Sequence, residues 1–515
     1  VGLAGVGGGQ SEIGDSRAVD HQLMRIVLYN PKSNAVGKRI MPFSLLAIGA
    51  VLEGEFEYEI VDGNGVADAD ALLSERAAAG AIVGMTVMPG PQLEDAYIRT
   101  RALKAAHPGM VVIWGGYFPT EHTEACLDGG FVDYVIRGHG ESAMVDLLRA
   151  LRAGRNPRDR PEVEGLAFRS RDGAVISGPV ARVPSVEALP EFPFQRIDMS
   201  AYARRTFLGA RTIGYHSSYG CPFLCNFCGV VSLARGRWNA QSPARVERAL
   251  RRYRDEWKAD AVEFYDNNFF THEDRCREIA DRIADFGFNW WGEGRIDTLL
   301  KFDDATWRAM TRSGLRMIFL GAESGSKQTL LRMDKGGTLT PEMTLDLAAR
   351  MRGFGVIPEF SFVLGNPPDP AADIDRTLAF IKRVKEQHPE AEIILYQYTP
   401  VPVSGELLEA AALNGFAFPR TLEQWTSPEW REISRRRSDR LPWMARRQRA
   451  KVRDFERVLN AYHPTSTDPR LTGWRRSLLR GLSAWRYHSG IHAGAYELRL
   501  LQKLFRYQRP ETAGF

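Results

Sequence analysis

Between Arg25 and about Arg152, short apolar runs alternate with stretches of helical period. Arg25–Tyr29, Tyr58–Val61, Ala81–Val87, Met110–Ile113 and Tyr134–Ile136 are rich in Val, Ile and Met and are predicted strands. Leu45–Leu52, Ala67–Ala79, Leu93–Ala106 and Glu121–Asp128 lie between them with apolar residues at helical spacing. Strand–helix alternation predicts a doubly wound, Rossmann-like parallel sheet over residues 24–152. Ligands of such sheets bind beyond the carboxyl ends of the strands. The loops there are Asn30-Pro31-Lys32, Met88-Pro89-Gly90, Gly115-Gly116-Tyr117 and Gly138-His139-Gly140-Glu141.

Residues 153–205 are rich in Arg, Pro and Asp, with strand-like pieces at Gly165–Arg169 and Ala174–Ser177, and are expected to be a connecting segment. The alternation resumes with strands at Thr212–His216, Ala261–Tyr265, Trp290–Arg295, Met317–Gly321, Glu359–Leu364 and Glu392–Gln397. Helices are expected at Pro243–Trp257, Arg275–Phe286, Asp303–Arg312, Pro341–Gly353 and Ile374–Gln387. Six strands are fewer than the eight of a closed barrel, so residues 206–410 predict a partial α/β barrel. The remainder, 411–515, reads as helical.

Composition changes this picture little: 44% hydrophobic and 25% charged residues describe an ordinary globular chain. It excludes a disordered, collagen-like or coiled-coil protein, and no apolar run is long enough to span a bilayer. Residues 1–23, glycine-rich and without Lys or Arg before Arg17, are expected to be a flexible leader and make a poor signal peptide. Charge is more informative. Residues 431–515 carry 20 Lys and Arg against 7 Asp and Glu, whereas residues 1–430 carry 48 against 56.

Five cysteines cannot form a disulfide framework and suggest a reducing, cytoplasmic setting. Three of them, Cys221, Cys225 and Cys228, lie within eight residues directly after the first strand of the second unit. Spacings of four and three let three thiolates converge from one loop. A structural zinc site wants four closed ligands, and only His216 is near enough in sequence to be the fourth. Three cysteines on a four-iron cluster instead leave one iron open.

The run Cys221-Pro222-Phe223-Leu224-Cys225-Asn226-Phe227-Cys228 resembles the cluster loop of the radical S-adenosylmethionine (SAM) superfamily. The resemblance implies a [4Fe-4S] cluster on the three cysteines and SAM on the open iron. It further implies SAM contacts at Phe227, Asp266, Arg295, Glu323, Ser324 and Asn366, in motifs at the carboxyl ends of successive strands. Asn267 stands where relatives often have a second acid.

A doubly wound sheet placed before such a barrel resembles a cobalamin-binding domain. Gly115-Gly116-Tyr117-Phe118-Pro119-Thr120 is similar to that family's Gly-Gly-x-x-x-Thr, and Gly138-His139-Gly140-Glu141 to its Gly-Glu-Gly-Glu. The resemblance implies cobalamin contacts at Asn30, Thr86, Gly115, Gly116, Tyr117, Thr120, Gly138, His139, Gly140 and Glu141. The family's Asp-x-His-x-x-Gly motif is missing, so no histidine after the first strand is placed to ligate cobalt.

Together these resemblances imply methyl transfer to an unactivated carbon or phosphorus, begun by hydrogen abstraction with a deoxyadenosyl radical. Two alternatives are a radical SAM cyclase of the anaerobic magnesium-protoporphyrin ester type and a non-catalytic cobalamin-binding regulator. The expected partners are a small, lipophilic substrate and an external electron donor of flavodoxin or ferredoxin type. The basic region interleaves Arg435-Arg436-Arg437, Arg446-Arg447 and Arg475-Arg476 with Trp443, Trp474, Trp485 and Phe505. It admits a helical cap on the barrel, an interfacial helix pair on anionic lipid at the inner membrane face, or, least favoured, a nucleic-acid contact.

Overall fold

In the computed structural model, residues 24–33, 39–155, 157, 163–434, 440–465, 467–468, 471 and 473–505 are described. The expected leader and Arg435-Arg436-Arg437 lie outside them. The first sheet contains β1 (Arg25–Asn30), β2 (Glu57–Asp62), β3 (Ile82–Thr86), β4 (Val112–Gly115), β5 (Tyr134–Ile136), β6 (Leu166–Arg169) and β7 (Val175–Ser177). Its order is β2-β1-β3-β4-β5-β6-β7, with the first five parallel and β6 and β7 antiparallel. The segment read as a connection therefore supplies the last two strands at one side of this sheet.

Helices cover both faces, as nearly continuous apolar strands require. One core joins the sheet to helices 69–78, 91–106 and 123–128 through Leu73, Leu93, Tyr97 and Cys126. The other joins it to helices 43–52 and 141–152 through Leu45, Leu52, Met144 and Leu147. Cys126 is a fully buried packing residue. The single helix expected over Glu121–Asp128 is two short ones, Tyr117–Glu121 and Thr123–Asp128, broken at His122.

The second sheet is a six-stranded parallel array: β8 (Thr212–Tyr215), β11 (Ala261–Phe264), β12 (Asn289–Gly294), β13 (Leu315–Glu323), β14 (Ile357–Leu364) and β15 (Glu392–Gln397), neighbouring in that order. Between β8 and β11 a small antiparallel pair, β9 (Ser218–Gly220) and β10 (Trp238–Ala240), brackets the cysteine loop. The helix at Pro341–Gly353 starts where expected because the Thr340 side chain accepts the Met343 N–H and Pro341 occupies the first turn.

The chain after the barrel serves two surfaces. Trp425 packs edge-on to Phe118 and close to His122, and the Tyr97 hydroxyl donates to Glu423, so residues 416–430 tie the barrel to the first sheet. Helix 446–462 and helix 474–489 contribute Val452, Phe455, Leu459 and Leu479 to the core around the barrel.

Candidate active site

The cysteine loop leaves β9 at Gly220, whose φ of 79° and close approach to the Arg237 carbonyl favour glycine. The loop is pinned at its middle, where the Asn226 N–H donates to the Met333 carbonyl (3.2 Å) and its side-chain amide to the Arg332 carbonyl (2.6 Å). Among the described residues no three His, Cys, Asp or Glu side chains could hold a metal ion together. Three cysteines from one loop leave the fourth iron of a four-iron cluster open.

Burial raises the affinity of all three thiols for their protons, Cys228 to about 11. Cations and donors oppose it. Arg295 Nη1 lies 3.4 Å from Cys225 Sγ, and Lys335 and Arg295 both favour the Cys225 thiolate. Asn268 Nδ2 approaches Cys221 Sγ at 4.0 Å, while its carbonyl oxygen is buried without a partner, as is that of Asn226. Three thiols on one loop, with the Arg295 and Lys335 cations brought to them from other elements, suit an anionic metal–thiolate group.

Arg295 is a hub. Its guanidinium makes a two-pronged pair with Asp297 (3.0 and 2.7 Å), donates to the Lys335 carbonyl (2.9 Å) and stacks 3.6 Å over the Phe223 ring. Lys335 Nζ in turn binds Glu323 Oε1 (2.6 Å), and both side chains are buried. Glu323 sits in the left-handed region (φ 61°) at a bulge of β13, an unfavourable conformation for a side chain, held where β13 meets the site.

The other residues assigned to SAM by resemblance lie close by but face inward. Asp266 is fully buried and accepts from the Ser217 N–H (3.1 Å) and from the Ser217 and Ser218 hydroxyls, so it shapes the approach to Cys221. Ser324 donates to Asp373 (3.0 Å), and the Asn366 amide nitrogen donates to the same carboxylate (3.0 Å), locking the β13 and β14 ends onto helix 370–387. The Asn366 side-chain oxygen is left without a partner. Phe227 is half-buried and packed against the barrel core.

Side chains two apart on a strand share a face. Trp291, Glu293 and Arg295 thus line the barrel interior, where Trp291 Nε1 donates to Glu359 Oε2 across the lumen (3.0 Å). Glu293 makes no hydrogen bond with the described residues. Burial and the Glu359 carboxylate push its pKa up to about 8, and burial pushes Glu359 up to about 8 as well. Each carboxyl is neutral when folded but ionises near 4.5 when exposed. Stability is therefore lost as pH rises from about 4.5 to about 8. Chemical denaturation across that window should show this decline, and Glu293→Gln should reduce it.

The residues assigned to cobalamin gather at the carboxyl edge of the first sheet. Asn30 donates to Asp62 (3.0 Å) and accepts from Gln92 (2.9 Å); Thr86 accepts from the Ser44 hydroxyl (3.0 Å). Thr120 clips the two glycine loops together, donating to the Gly116 carbonyl (2.7 Å) and accepting from the Gly138 N–H (2.9 Å). Gly115 ends β4, whereas Tyr117 and Glu141 open helices and are not loop residues. A Cβ on Gly140 would meet Ile48 and Ile136 at 3.1 Å.

Gly116 has φ 99° and ψ −168°, a region open essentially to glycine alone, and a Cβ there would lie 3.1 Å from Thr86 Oγ1 and the Val87 backbone. The glycine is thus required by the fold itself. Gly116→Ala should cost about 1–3 kcal/mol in urea unfolding.

This edge abuts the cysteine loop. A Cβ on Gly229, the residue after Cys228, would lie 2.7 Å from the Tyr117 hydroxyl. His139 stacks on Tyr219, two residues before Cys221, at 5.3 Å. His139 is held neutral, its pKa lowered to about 4 by burial, and Glu141 beside it is raised by burial. His216 is buried between Phe43 and Tyr219 with Nε2 unpartnered. The two sets of sequence motifs, some hundred residues apart, lie against one another.

Two protein families match this chain: the B12 binding domain over residues 34–148 and the Radical SAM superfamily over residues 215–381, together more than half of it. The chain carries a B12-binding domain and a radical SAM domain. An uncharacterized methyltransferase of Pyrococcus horikoshii is 26% identical over 79% of this chain and 87% of its own. The anaerobic magnesium-protoporphyrin IX monomethyl ester cyclase of Synechocystis is 25% identical over 61% of this chain and 64% of its own. The radical SAM methyltransferase TsrM of Kitasatospora setae shares the fold with a TM-score of 0.59, at 19% identity over 76% of each chain. The radical SAM domain match runs from the end of β8 through the cysteine loop into helix 370–387, and the B12 domain match covers both glycine loops.

Sequence reasoning missed Lys335 and Asn268 as neighbours of the cysteine loop, and gave Glu293 no role. The glycine pair Gly336-Gly337 was the one local signal near Lys335: both have positive φ, and a Cβ on Gly336 would meet Arg295 Nη2 at 3.2 Å.

Proposed function

We propose that this enzyme is a cobalamin-dependent radical SAM methyltransferase acting on an unactivated carbon, or phosphorus, of a small molecule. The observation that carries this reading is the contact of Tyr117 and His139, from the B12-binding domain, with Gly229 and Tyr219, on either side of the cysteines. When bound, the cluster supplies the electron that cleaves SAM, and cobalamin supplies methyl carriage. Cys221, Cys225 and Cys228 hold the cluster, and Arg295 and Lys335 balance its charge. Glu323, Asn366 and Phe227 border the space for SAM. Asn30, Thr86 and the loops at Gly115-Gly116 and Gly138-His139-Gly140 border the space for cobalamin. Glu293, its pKa pushed up to about 8 by burial and without a hydrogen-bond partner among the described residues, presents a hydrogen-bond donor to the substrate inside the barrel. A cytoplasmic setting and a flavodoxin- or ferredoxin-type electron donor belong to this reading.

The test is the stoichiometry of SAM products when the anaerobically reconstituted chain is incubated with reductant and a turning-over acceptor. Methyl transfer gives S-adenosylhomocysteine and 5′-deoxyadenosine in equal amounts and a product heavier by one methylene. Deoxyadenosine without S-adenosylhomocysteine would instead assign the cyclase reaction carried by the Synechocystis relative.

A further inference from the structure

The basic C-terminal hairpin packs one face on the barrel and leaves the other apolar. Helices 474–489 and 496–505 run antiparallel: Trp474 at the start of the first meets Phe505 at the end of the second, and Arg486 pairs with Glu497 (2.5 Å) at the opposite end. Leu479, Ser483, Tyr487 and Leu498 face inward and are buried. Trp474, Leu478, Leu482 and Trp485 recur at spacings of four, four and three and are exposed, as are Tyr496, Leu500 and Leu504 at spacings of four. Most of the large apolar side chains exposed among the described residues are concentrated on this hairpin and its connecting turn. Such a contiguous stripe marks an interaction surface, unlike scattered single exposures.

Charge identifies what the stripe meets. Residues 473–505 contain six Arg and Lys and one acid, Glu497, which is paired to Arg486. Arg480, Arg499 and Lys503 are exposed on the same two helices. A protein partner that covers an apolar stripe in a basic rim needs an acidic rim of its own, and a second copy of this chain would bring six more cations. An anionic bilayer offers both an apolar interior and negative headgroups, and tryptophans at both ends of a stripe suit the interfacial zone. No helix among the described residues is long and apolar enough to cross a membrane, so the contact is peripheral.

We propose that the exposed face of the 474–505 hairpin docks the protein on an anionic lipid surface. The proposal is independent of the reaction assigned above.

The full chain should co-sediment with vesicles of phosphatidylglycerol and phosphatidylcholine at least about tenfold more than with phosphatidylcholine alone, and lose most of that binding in high salt. The triple variant Leu482→Glu/Trp485→Glu/Leu500→Glu alters exposed side chains only. It should keep the wild-type circular dichroism and thermal midpoint and lose vesicle binding. Equal sedimentation of wild type and variant, or no preference for the anionic vesicles, would overturn the proposal. So would light scattering that shows a wild-type dimer and a monomeric variant, which would make the stripe a contact between copies.

Discussion

Replacing Cys225 by alanine should abolish cluster assembly and reduce SAM cleavage by at least roughly a thousandfold, the loss expected when the reacting group itself is removed. The loop does not depend on that thiol for its shape. Asn226 anchors it through the Met333 and Arg332 carbonyls, Gly220 turns it, and β9 and β10 close it from both sides. The variant should therefore keep its thermal midpoint within a few degrees while iron analysis after reconstitution falls to background. Cys221→Ala and Cys228→Ala should behave alike. Alanine at Cys126 or Cys276, both buried in the helical layers outside the loop, should instead lower stability and leave iron content unchanged.

Arg295→Ala is expected to be the most damaging substitution that leaves the cysteines intact. It strands Asp297, a buried carboxylate whose ion pair and two hydrogen bonds come from that guanidinium. Breaking a buried pair by removing one partner costs about 3–5 kcal/mol. It also removes the cation 3.4 Å from Cys225 Sγ. Arg295→Lys should not rescue either effect, because a lysine cannot make the two-pronged pair, reach the Lys335 carbonyl and stack on Phe223 together. The two consequences separate in the double variant Arg295→Ala/Asp297→Ala. Denaturation should recover much of the stability, since no uncompensated charge remains, while iron loading stays below wild type because the thiolate still lacks its cation.

The sheets were legible because their strands are apolar runs bounded by turn residues, and Ala261–Tyr265 and Tyr134–Ile136 fall within a residue of β11 and β5. The pair β6 and β7 was not, because short strands at an antiparallel edge carry little apolar signal among arginines and prolines. The cysteine loop announces itself by spacing. Its supporting shell does not: Lys335 reaches Glu323 and Arg295 reaches Cys225 from separate strands and loops, so no local pattern links them. Asp266 shows the reverse limit. Its position at the end of β11 is evident from the strand pattern, but the serines that claim its carboxylate, Ser217 and Ser218, become neighbours only when β8 and β11 pair. In the basic region a helical cap and a lipid face are two readings of the same residues in sequence. The fold assigns the inner face to the barrel and leaves the other to solvent.

Docking of the two domains also explains why single motifs understate the site. Phe418 and Trp425 fix the first sheet against the barrel from a segment with no chemistry of its own. That packing brings the Tyr117 helix start and the His139 loop onto the flanks of the cysteine loop.

The most direct test of this account is iron and cobalt analysis of the chain after anaerobic reconstitution with iron, sulfide and hydroxocobalamin. About four iron atoms and about one cobalt atom per chain are expected, with Cys225→Ala losing the iron and keeping the cobalt. Four iron atoms with no cobalt would contradict it, because the glycine loops that press against the cysteines would then hold something other than cobalamin.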